Sequence, residues 1–356
     1  MKNPFYRFIQ YFLFLAFLAL VAFFIIQYTN EQAVKNNQAN QPFPPVPFVV
    51  NVPTFSFTAA GDYGMNKSTE GVMSLIRGIN PNFHLALGDM IYSSDVKYSV
   101  DWCVFAKKFL GTIPIELLAG NHDTTDGDYN KLINCLPNSL PNDLYFKGEY
   151  GKEYYFDYPA NNPMARFILL SPDLKFQDNP LPYEYNSTSS RYTWLNDRFN
   201  TPHTKGYPWV IILMHKLCIS AGDKTCEIGK DLPRLLIKQK ADLVINGHDH
   251  IYARTNQIKC LKDDFDPECI TESITGDNYK QGSGTVFLTA GTGGQTGGLL
   301  EEGKNSKDIP YFKVIYGSDN KNSEFGVLSV RVTNKNLYGD FIGVDGKVLD
   351  SFTISR

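Results

Sequence analysis

Five short apolar runs of strand length place the strongest constraint on the fold of this chain. They comprise residues 55–60, 83–87, 113–119, 210–214 and 242–245, and all but the first are largely continuous apolar stretches. Runs of this kind predict the buried strands of an α/β fold. Each run is followed within a few residues by Asp, Asn or His. Such residues gather beyond the carboxyl ends of the strands, so we expect them to lie together.

Helical patterns lie between these runs. The first segment places its apolar residues at helical spacing: Val72, Leu75, Ile76 and Ile79. Ser68 or Thr69 is its candidate N-cap, and a second helix is predicted over residues 231–240 with Asp231 as a candidate cap. Residues 327–354 alternate apolar and polar positions around two turns, which predicts a closing antiparallel hairpin or meander.

Length and charge limit the classes of function. The chain has 356 residues, and the approximately 300 that remain after its amino-terminal segment suit one large domain. The formal net charge is -3, with no basic stripe that could neutralise a phosphate backbone. We therefore expect no nucleic-acid partner, and small substrates fit this composition better than polymers.

The amino-terminal segment has the composition of an export signal. Residues 8–26 are apolar apart from Gln10 and Tyr11, a stretch just long enough to span a bilayer. Lys2 and Arg7 precede it, so the positive-inside rule places the amino terminus in the cytoplasm and the remainder outside. A cleaved signal peptide is the alternative interpretation, and both interpretations imply export.

These features predict a linear organisation of the chain. Residues 1–7 form a cytoplasmic amino terminus, and residues 8–27 form a signal anchor or a signal peptide. Residues 28–53 are rich in Pro, Asn and Gln, a composition typical of an extended linker. Residues 54–356 form the folded domain.

Six cysteines are present, and none has the paired short spacing of a zinc module. An exported chain meets oxidising conditions, which favours disulfides. Proximity along the chain predicts two small loops and leaves one longer pair: Cys218–Cys226, Cys260–Cys269 and Cys103–Cys135.

The polar residues that follow the apolar runs are of the types that bind metal ions. In chain order they are Asp62, Asp89 with Tyr92, Asn121 with His122, His215, and His248 with His250. A pair of divalent or trivalent cations needs hard oxygen ligands and imidazoles, with one carboxylate between the two ions. Asp89 is placed to be that bridge. The ordered series predicts a two-metal hydrolytic site.

The motifs around these residues resemble a known signature. They are Gly61-Asp62-Tyr63-Gly64, Gly88-Asp89-Met90-Ile91-Tyr92, Gly120-Asn121-His122-Asp123, His215 and Gly247-His248-Asp249-His250. This set is similar to the signature of the calcineurin-like metallophosphoesterases. Tyr92 adds a closer resemblance to the purple acid phosphatases, including the tartrate-resistant type. The resemblance covers approximately residues 54–350 and implies a two-sheet α/β sandwich flanked by helices.

The resemblance also implies two overlapping ligand sets. The ligands of one metal would be Asp62, Asp89, Tyr92 and His250. The ligands of the other would be Asp89, Asn121, His215 and His248. The family expectation is Fe(III), which a phenolate ligand such as Tyr92 stabilises, beside Fe(II), Zn or Mn. His122 then remains for catalysis.

The implied activity is that of an exported or membrane-anchored acid phosphatase. Its substrate would be a phosphorylated small molecule or a phosphoprotein, and its phosphate monoester would be attacked by a metal-bound hydroxide. His122 would donate a proton to the leaving group, with Asp123 as a candidate to orient it. The alternatives are a Mn/Zn phosphodiesterase or nucleotidase in which Tyr92 is not bound, and a catalytically silent, metal-stabilised binding or receptor domain.

Two departures from the family pattern and two further histidines complete the prediction. Ala253 stands where plant-type enzymes usually have Glu, and Lys216 begins a segment that replaces their His-Arg-Pro run. We interpret His84, inside an apolar run, as a hydrogen-bonded core residue. We interpret His203 as a residue of a polar surface loop.

Overall fold

The computed structural model describes Gln27 and residues 54–93, 99–126, 128–141, 144–271, 276–295, 307–317 and 325–356. The predicted signal anchor or signal peptide, residues 8–27, and the predicted linker, residues 28–53, lie outside the described residues. The one exception is Gln27, the last residue of the former. Among the helices that can be described, none combines the length and apolar character needed to cross a membrane. The described residues from Thr54 to Arg356 belong to one unit.

The described residues form two sheets, of seven and eight strands. The strands are β1 (Thr54–Ala60), β2 (Phe83–Ala86), β3 (Ile115–Leu117), β4 (Tyr145–Glu149), β5 (Glu153–Tyr158), β6 (Ala165–Leu170), β7 (Trp209–Met214), β8 (Leu243–Asn246), β9 (Tyr252–Thr255), β10 (Asn278–Lys280), β11 (Val286–Ala290), β12 (Phe312–Tyr316), β13 (Gly326–Thr333), β14 (Asn336–Gly343) and β15 (Val348–Ser355). The first sheet has the order β10-β15-β14-β13-β1-β2-β3, and the second has the order β12-β9-β11-β8-β7-β6-β5-β4.

Six α-helices are described. They are α1 (Lys67–Ile79), α2 (Ser99–Leu110), α3 (Asn121–Thr125), α4 (Tyr129–Cys135), α5 (Ser190–Lys205) and α6 (Asp231–Lys238). Two short 3-10 helices, Pro267–Cys269 and Ile309–Tyr311, lie in the connections of the second half of the chain. Val72 and Ile76 of α1 join an apolar cluster with Ala86 and Leu117 of the first sheet, so this helix covers one face of that sheet.

The main apolar layer lies between the two sheets. Phe57 and Phe83 of the first sheet and Phe167 of the second are fully buried. Phe167 meets Phe57 edge-on, with ring centroids 5.1 Å apart, and meets Phe83 at 5.3 Å. Edge-to-face packing is the favoured arrangement of aromatic rings, and burial of each such side chain contributes about 1.5–3 kcal/mol. The predicted two-sheet sandwich with flanking helices is therefore confirmed.

Both predicted helices are present, but their caps were predicted at the wrong residues. Asn66 is the N-cap of α1, and its Oδ1 accepts a hydrogen bond from Thr69 N at 3.0 Å. Ser68 and Thr69 lie inside the first turn, where the backbone is already helical, so neither can act as the cap. In α6 the cap position is Lys230, and Asp231 lies in the first turn, where a negative charge favours the helix dipole.

The interpretations of the two extra histidines have opposite outcomes. His84 is buried and its ring nitrogens lie 2.9 Å from Thr58 Oγ1 and 2.6 Å from Tyr63 Oη, which confirms a satisfied core residue. His203 lies in α5, so the predicted loop is wrong. The helix continues through this polar segment and ends only before Gly206, whose positive φ of 74° is typical of a residue that follows a helix.

The carboxyl-terminal prediction and the cysteine pairing are both confirmed. Strands β13, β14 and β15 form an antiparallel meander. The three predicted disulfides are present: Cys103–Cys135, Cys218–Cys226 and Cys260–Cys269. All six cysteines are thus paired, which indicates an extracytoplasmic location.

Candidate metal centre

The predicted ligands follow the carboxyl ends of parallel strands in both sheets. Strands β1, β2 and β3 are adjacent and parallel, and they lead into Asp62, Asp89 and Asn121. Strands β7 and β8 are also adjacent and parallel, and they lead into His215 and His248. Contacts between these groups join the two sheets at one edge, as expected for an α/β fold.

Four donor atoms form a first cluster around the Tyr92 hydroxyl. Tyr92 Oη lies 3.4 Å from Asp62 Oδ1, 3.5 Å from Asp89 Oδ2 and 3.3 Å from His250 Nε2. His250 Nε2 is in turn 3.4 Å from Asp62 Oδ1. The structure thus brings together the four residues that were predicted for one ion.

A second cluster forms around the fully buried ring of His215. His215 Nε2 lies 3.1 Å from Asn121 Oδ1, 3.2 Å from Asp89 Oδ2 and 3.2 Å from His248 Nδ1. His215 Nδ1 is held 2.8 Å from the carbonyl oxygen of Leu87, which fixes the ring and directs Nε2 towards the cluster. These are the four residues predicted for the other ion.

The spacing of the donors fits metal ions. Donor atoms bound at about 2.0–2.2 Å to one ion lie about 3–3.5 Å apart in tetrahedral or octahedral geometry. The separations between donor atoms in both clusters fall in this range. Asp89, His215 and His248 also form a buried group that could hold a metal ion, with donor atoms within 4.8 Å of one another. Oxygen and imidazole donors suit iron, zinc and manganese.

One oxygen of Asp89 belongs to both clusters. Asp89 Oδ2 contacts the Tyr92 hydroxyl and His215 Nε2. Asp89 Oδ1 faces the other way and accepts a hydrogen bond from the backbone N–H of His122 at 2.8 Å. Asp89 Oδ2 is therefore the oxygen that the two donor clusters share, and it would be available to an ion in either one.

Without a cation, the acidic groups of the site oppose one another. Burial, followed by the charges of Asp62 and Asp89, raises the pKa of Tyr92 far above its usual range. Burial would also raise the pKa of Asp89, but the His215 imidazole holds it at about 2. In the reverse direction, Asp89 overcomes the effect of burial and raises the pKa of His215 to about 9. A bound metal ion would supply the positive charge that stabilises the Asp89 carboxylate, in place of a proton on His215.

Backbone strain is concentrated at the same residues. Asp62, Asp89 and His248 have positive φ values of 62°, 50° and 74°. The left-handed region disfavours residues other than glycine by about 1–2 kcal/mol. Such conformations persist where the surrounding structure enforces them, and they occur often at active sites. The rigid turns after β1, β2 and β8 therefore fix the donors before any ligand binds.

Two glycines of the motifs provide the space that the donors occupy. A Cβ atom on Gly120 would lie 2.1 Å from Asp89 Oδ1, and one on Gly247 would lie 2.8 Å from Asp62 Oδ2. Both distances are too short for any side chain. The glycines of the Gly-Asn-His and Gly-His-x-His motifs are thus required by the close approach of the carboxylates.

His122 lies beside the first cluster and is partly exposed. Its ring centroid is 4.5 Å from that of Tyr92, and its side chain is 38% exposed. His122 Nδ1 lies 2.5 Å from Asp126 Oδ2. With Nδ1 held in this way, Nε2 is the ring nitrogen that a substrate would meet.

The prediction that Asp123 orients His122 is wrong. Asp123 is buried and accepts hydrogen bonds from the backbone N–H groups of Met90, Ile91 and Gly120, at 2.9, 3.1 and 2.8 Å. Burial, followed by the charge of Asp89, raises its pKa to about 7. Asp123 therefore braces the two motif loops against each other.

Three residues at the site were not predicted to have a role there. Asp126 contacts His122, and Glu227 contacts His248 at 3.1 Å and Lys216 at 2.8 Å. Asp126 could have been found, because a residue four positions along a helix lies on the same face. Glu227 has no comparable signal, since it lies 21 residues before His248 in a loop.

Comparisons with known proteins agree with this geometry. A model of the calcineurin-like phosphoesterase family matches residues 55–252. An Arabidopsis thaliana protein named probable inactive purple acid phosphatase 1 is 24% identical over 81% of this chain and 45% of its own length. Purple acid phosphatase 18 of the same plant is 23% identical over 74% of this chain and 54% of its own length.

Solved structures share the fold. A purple acid phosphatase from yellow lupin (Lupinus luteus) seeds superposes with a TM-score of 0.61 at 19% identity, covering 86% of this chain and 54% of that one. The chain spans about half the length of the curated relatives named above. Since the family model matches more than half of the sequence, the chain belongs to the calcineurin-like metallophosphoesterase family, with purple acid phosphatases as distant relatives.

Proposed function

We propose that this protein is an extracytoplasmic acid phosphatase that hydrolyses phosphate monoesters at a binuclear metal centre. The observation that carries the proposal is the pair of donor clusters that share Asp89 Oδ2, with His122 beside them. The first ion would be held by Asp62, Asp89, Tyr92 and His250. The second would be held by Asp89, Asn121, His215 and His248.

Tyr92 determines which metals we propose. A phenolate is a hard, strongly donating ligand, so Tyr92 favours Fe(III) at the first position. The second set contains two imidazoles and one amide oxygen besides Asp89, which suits Fe(II), Zn or Mn. When bound, two such ions would lower the pKa of water and neutralise the charge on the phosphoryl oxygens.

His122 is the proposed general acid. Its ring is partly exposed beside the clusters, so it can reach the leaving-group oxygen of a bound monoester. Asp126 holds Nδ1, which leaves Nε2 as the ring nitrogen for proton donation. The proposed substrates are phosphorylated small molecules or phosphoproteins that are available outside the cytoplasm.

The proposed location follows from two parts of the chain. Three disulfides support an oxidising compartment. The apolar residues 8–26 would serve as a signal anchor that holds the enzyme at a membrane, or as a signal peptide. A shift in protein mass after export would distinguish the two.

A catalytically silent binding domain is the second candidate. It is supported by the name of the Arabidopsis relative that is described as a probable inactive purple acid phosphatase. Complete donor clusters and a paired His122 argue against it here, because a silent scaffold has no need of a proton donor held at one nitrogen.

Steady-state hydrolysis tests these candidates. The purified full-length chain would be loaded with iron and zinc and assayed from acidic to neutral pH with p-nitrophenyl phosphate and bis(p-nitrophenyl) phosphate. We expect turnover of the monoester with an acidic optimum. Turnover of the diester alone near neutrality would indicate a diesterase, and a metal-loaded protein that hydrolyses neither would indicate a silent domain.

A further inference from the structure

Glu227 links the second donor cluster to a partly exposed ion-pair system. Its Oε1 lies 3.1 Å from His248 Nε2, and its Oε2 lies 2.8 Å from Lys216 Nζ. Lys216 is only 12% exposed, and its Nζ also lies 2.7 Å from Asp173 Oδ2. Both oxygens of Glu227 are thus engaged, and the carboxylate is held at two points.

The contact to His248 is made by the ring nitrogen that faces away from the cluster. His248 Nδ1 is the nitrogen that lies 3.2 Å from His215 Nε2, inside the donor set. A neutral imidazole carries one N–H, and a carboxylate at Nε2 accepts that N–H. The lone pair of Nδ1 is then directed to the cluster. Carboxylates placed in this way commonly orient metal-binding histidines.

The segment that carries Glu227 is covalently closed. Glu227 directly follows Cys226, which is joined to Cys218, and Lys216 directly follows His215. The disulfide therefore closes a loop in the segment between Lys216 and Glu227. This arrangement limits the movement of Glu227 relative to His215.

We infer that Glu227 is a positioning residue that fixes the ring of His248 for metal binding, and that Lys216 holds Glu227 in place. The inference rests on the proposed metal centre, but it concerns affinity for the ion and not turnover. It predicts that loss of the Glu227 charge weakens one of two metal sites and leaves the other unchanged.

Metal titration of the full-length chain tests this inference. Metal-free wild type, Glu227→Gln, Glu227→Ala and Lys216→Met would be titrated with Zn²⁺ by isothermal titration calorimetry. We expect both Glu227 variants to bind Zn²⁺ about 10–100-fold more weakly at one site, because partners of metal-binding histidines contribute on this scale. Glu227→Ala should bind Zn²⁺ more weakly than Glu227→Gln does. Lys216→Met should weaken the same site by less.

A matched control exists elsewhere in the chain. Lys152 also lies between two carboxylates, Glu149 at 2.5 Å and Asp178 at 2.6 Å. Glu149→Gln therefore removes a comparable charge, and it should leave both zinc affinities as in wild type. Melting temperatures of the metal-free proteins would show whether each variant is folded.

The outcomes are distinct. Wild-type affinities at both sites in Glu227→Gln and Glu227→Ala would overturn the inference. So would equal weakening of both sites together with a lower melting temperature of the metal-free protein, since that pattern indicates a general structural role. A wild type that binds two ions but hydrolyses no monoester would refute the proposed function and leave this inference standing.

Discussion

At the scale of single residues, Asp89 connects the two donor clusters and His122, the proposed general acid. Its Oδ2 lies in both clusters, and its Oδ1 accepts the backbone N–H of His122. Its φ of 50° is enforced by the surrounding turn. We therefore propose separate tasks for neighbouring groups: Asp89 would hold metal, and His122 would move a proton.

Replacement of His122 tests this division. We expect His122→Ala to lower kcat by about 10²–10⁴-fold, the usual contribution of a general acid, with both metal ions retained. Steady-state kinetics and metal analysis on the same samples would measure both quantities. Unchanged kcat would remove His122 from the mechanism, and loss of metal would assign it a ligand role.

Asp126 should act only through His122. We expect Asp126→Asn to lower kcat by less than His122→Ala does, with KM unchanged, since the amide holds the ring but carries no charge. In the double variant, Asp126→Asn should add no further loss, because the two residues act as one unit. Fully additive losses in this double-mutant cycle would contradict the pairing.

At the scale of elements, sequence spacing predicted the site residues that lie close to the end of a strand. It did not predict a residue whose position depends on the path of a long loop. The donors that follow β1, β2, β3, β7 and β8 could be predicted because each lies within six residues of the end of its strand. Asp123 was a wrong candidate because one helical residue rotates the side chain by about 100°, whereas four residues return it to the same face. Glu227 could not be predicted, since its position depends on the path of a disulfide-closed loop.

The cap of α1 yields a stability prediction at this scale. Asn66 Oδ1 accepts from Thr69 N, and its Nδ2 donates to the carbonyl oxygens of Tyr63 and Gly294. We expect Asn66→Ala to lower the free energy of unfolding by about 0.5–2 kcal/mol, measured by chemical denaturation. Ser68→Ala is the control and should change it by no more than about 0.5 kcal/mol. A larger loss of unfolding free energy in Ser68→Ala than in Asn66→Ala would indicate that Ser68 is the cap.

At the scale of the whole molecule, a buried carboxyl group that belongs to neither donor cluster links stability to pH. Glu116 in β3 is fully buried, and its Oε1 has no hydrogen-bond partner among the described residues. Burial raises its pKa to about 8, although hydrogen bonds from the Ser139 backbone and Tyr154 oppose the shift. The folded protein thus binds a proton that the unfolded chain releases near pH 4.5.

The sign of this linkage is fixed. Between pH 4.5 and 8 Glu116 is protonated in the folded state and ionised in the unfolded state. The contribution of Glu116 to stability is therefore greatest in acid and falls as pH rises. One such group contributes at most about 1.4 kcal/mol per pH unit. We expect Glu116→Gln to flatten the pH dependence of the free energy of unfolding over this window. Parallel curves for wild type and variant would contradict the assignment.

At this scale the two-sheet sandwich was implied by the resemblance to the metallophosphoesterases, and the continuous apolar runs and the closing meander agree with it. The course of the second sheet beyond β8 was not predictable, since β9 and β12 are short and carry little periodicity.

The central claim is that two ions share Asp89 and together hydrolyse phosphate monoesters. The most direct test is the metal content and p-nitrophenyl phosphate turnover of full-length wild type and Asp89→Asn, measured on the same preparations. We expect two ions per chain and turnover in wild type, and at most one ion with turnover abolished in the variant. An Asp89→Asn protein that keeps both ions and full activity would contradict it.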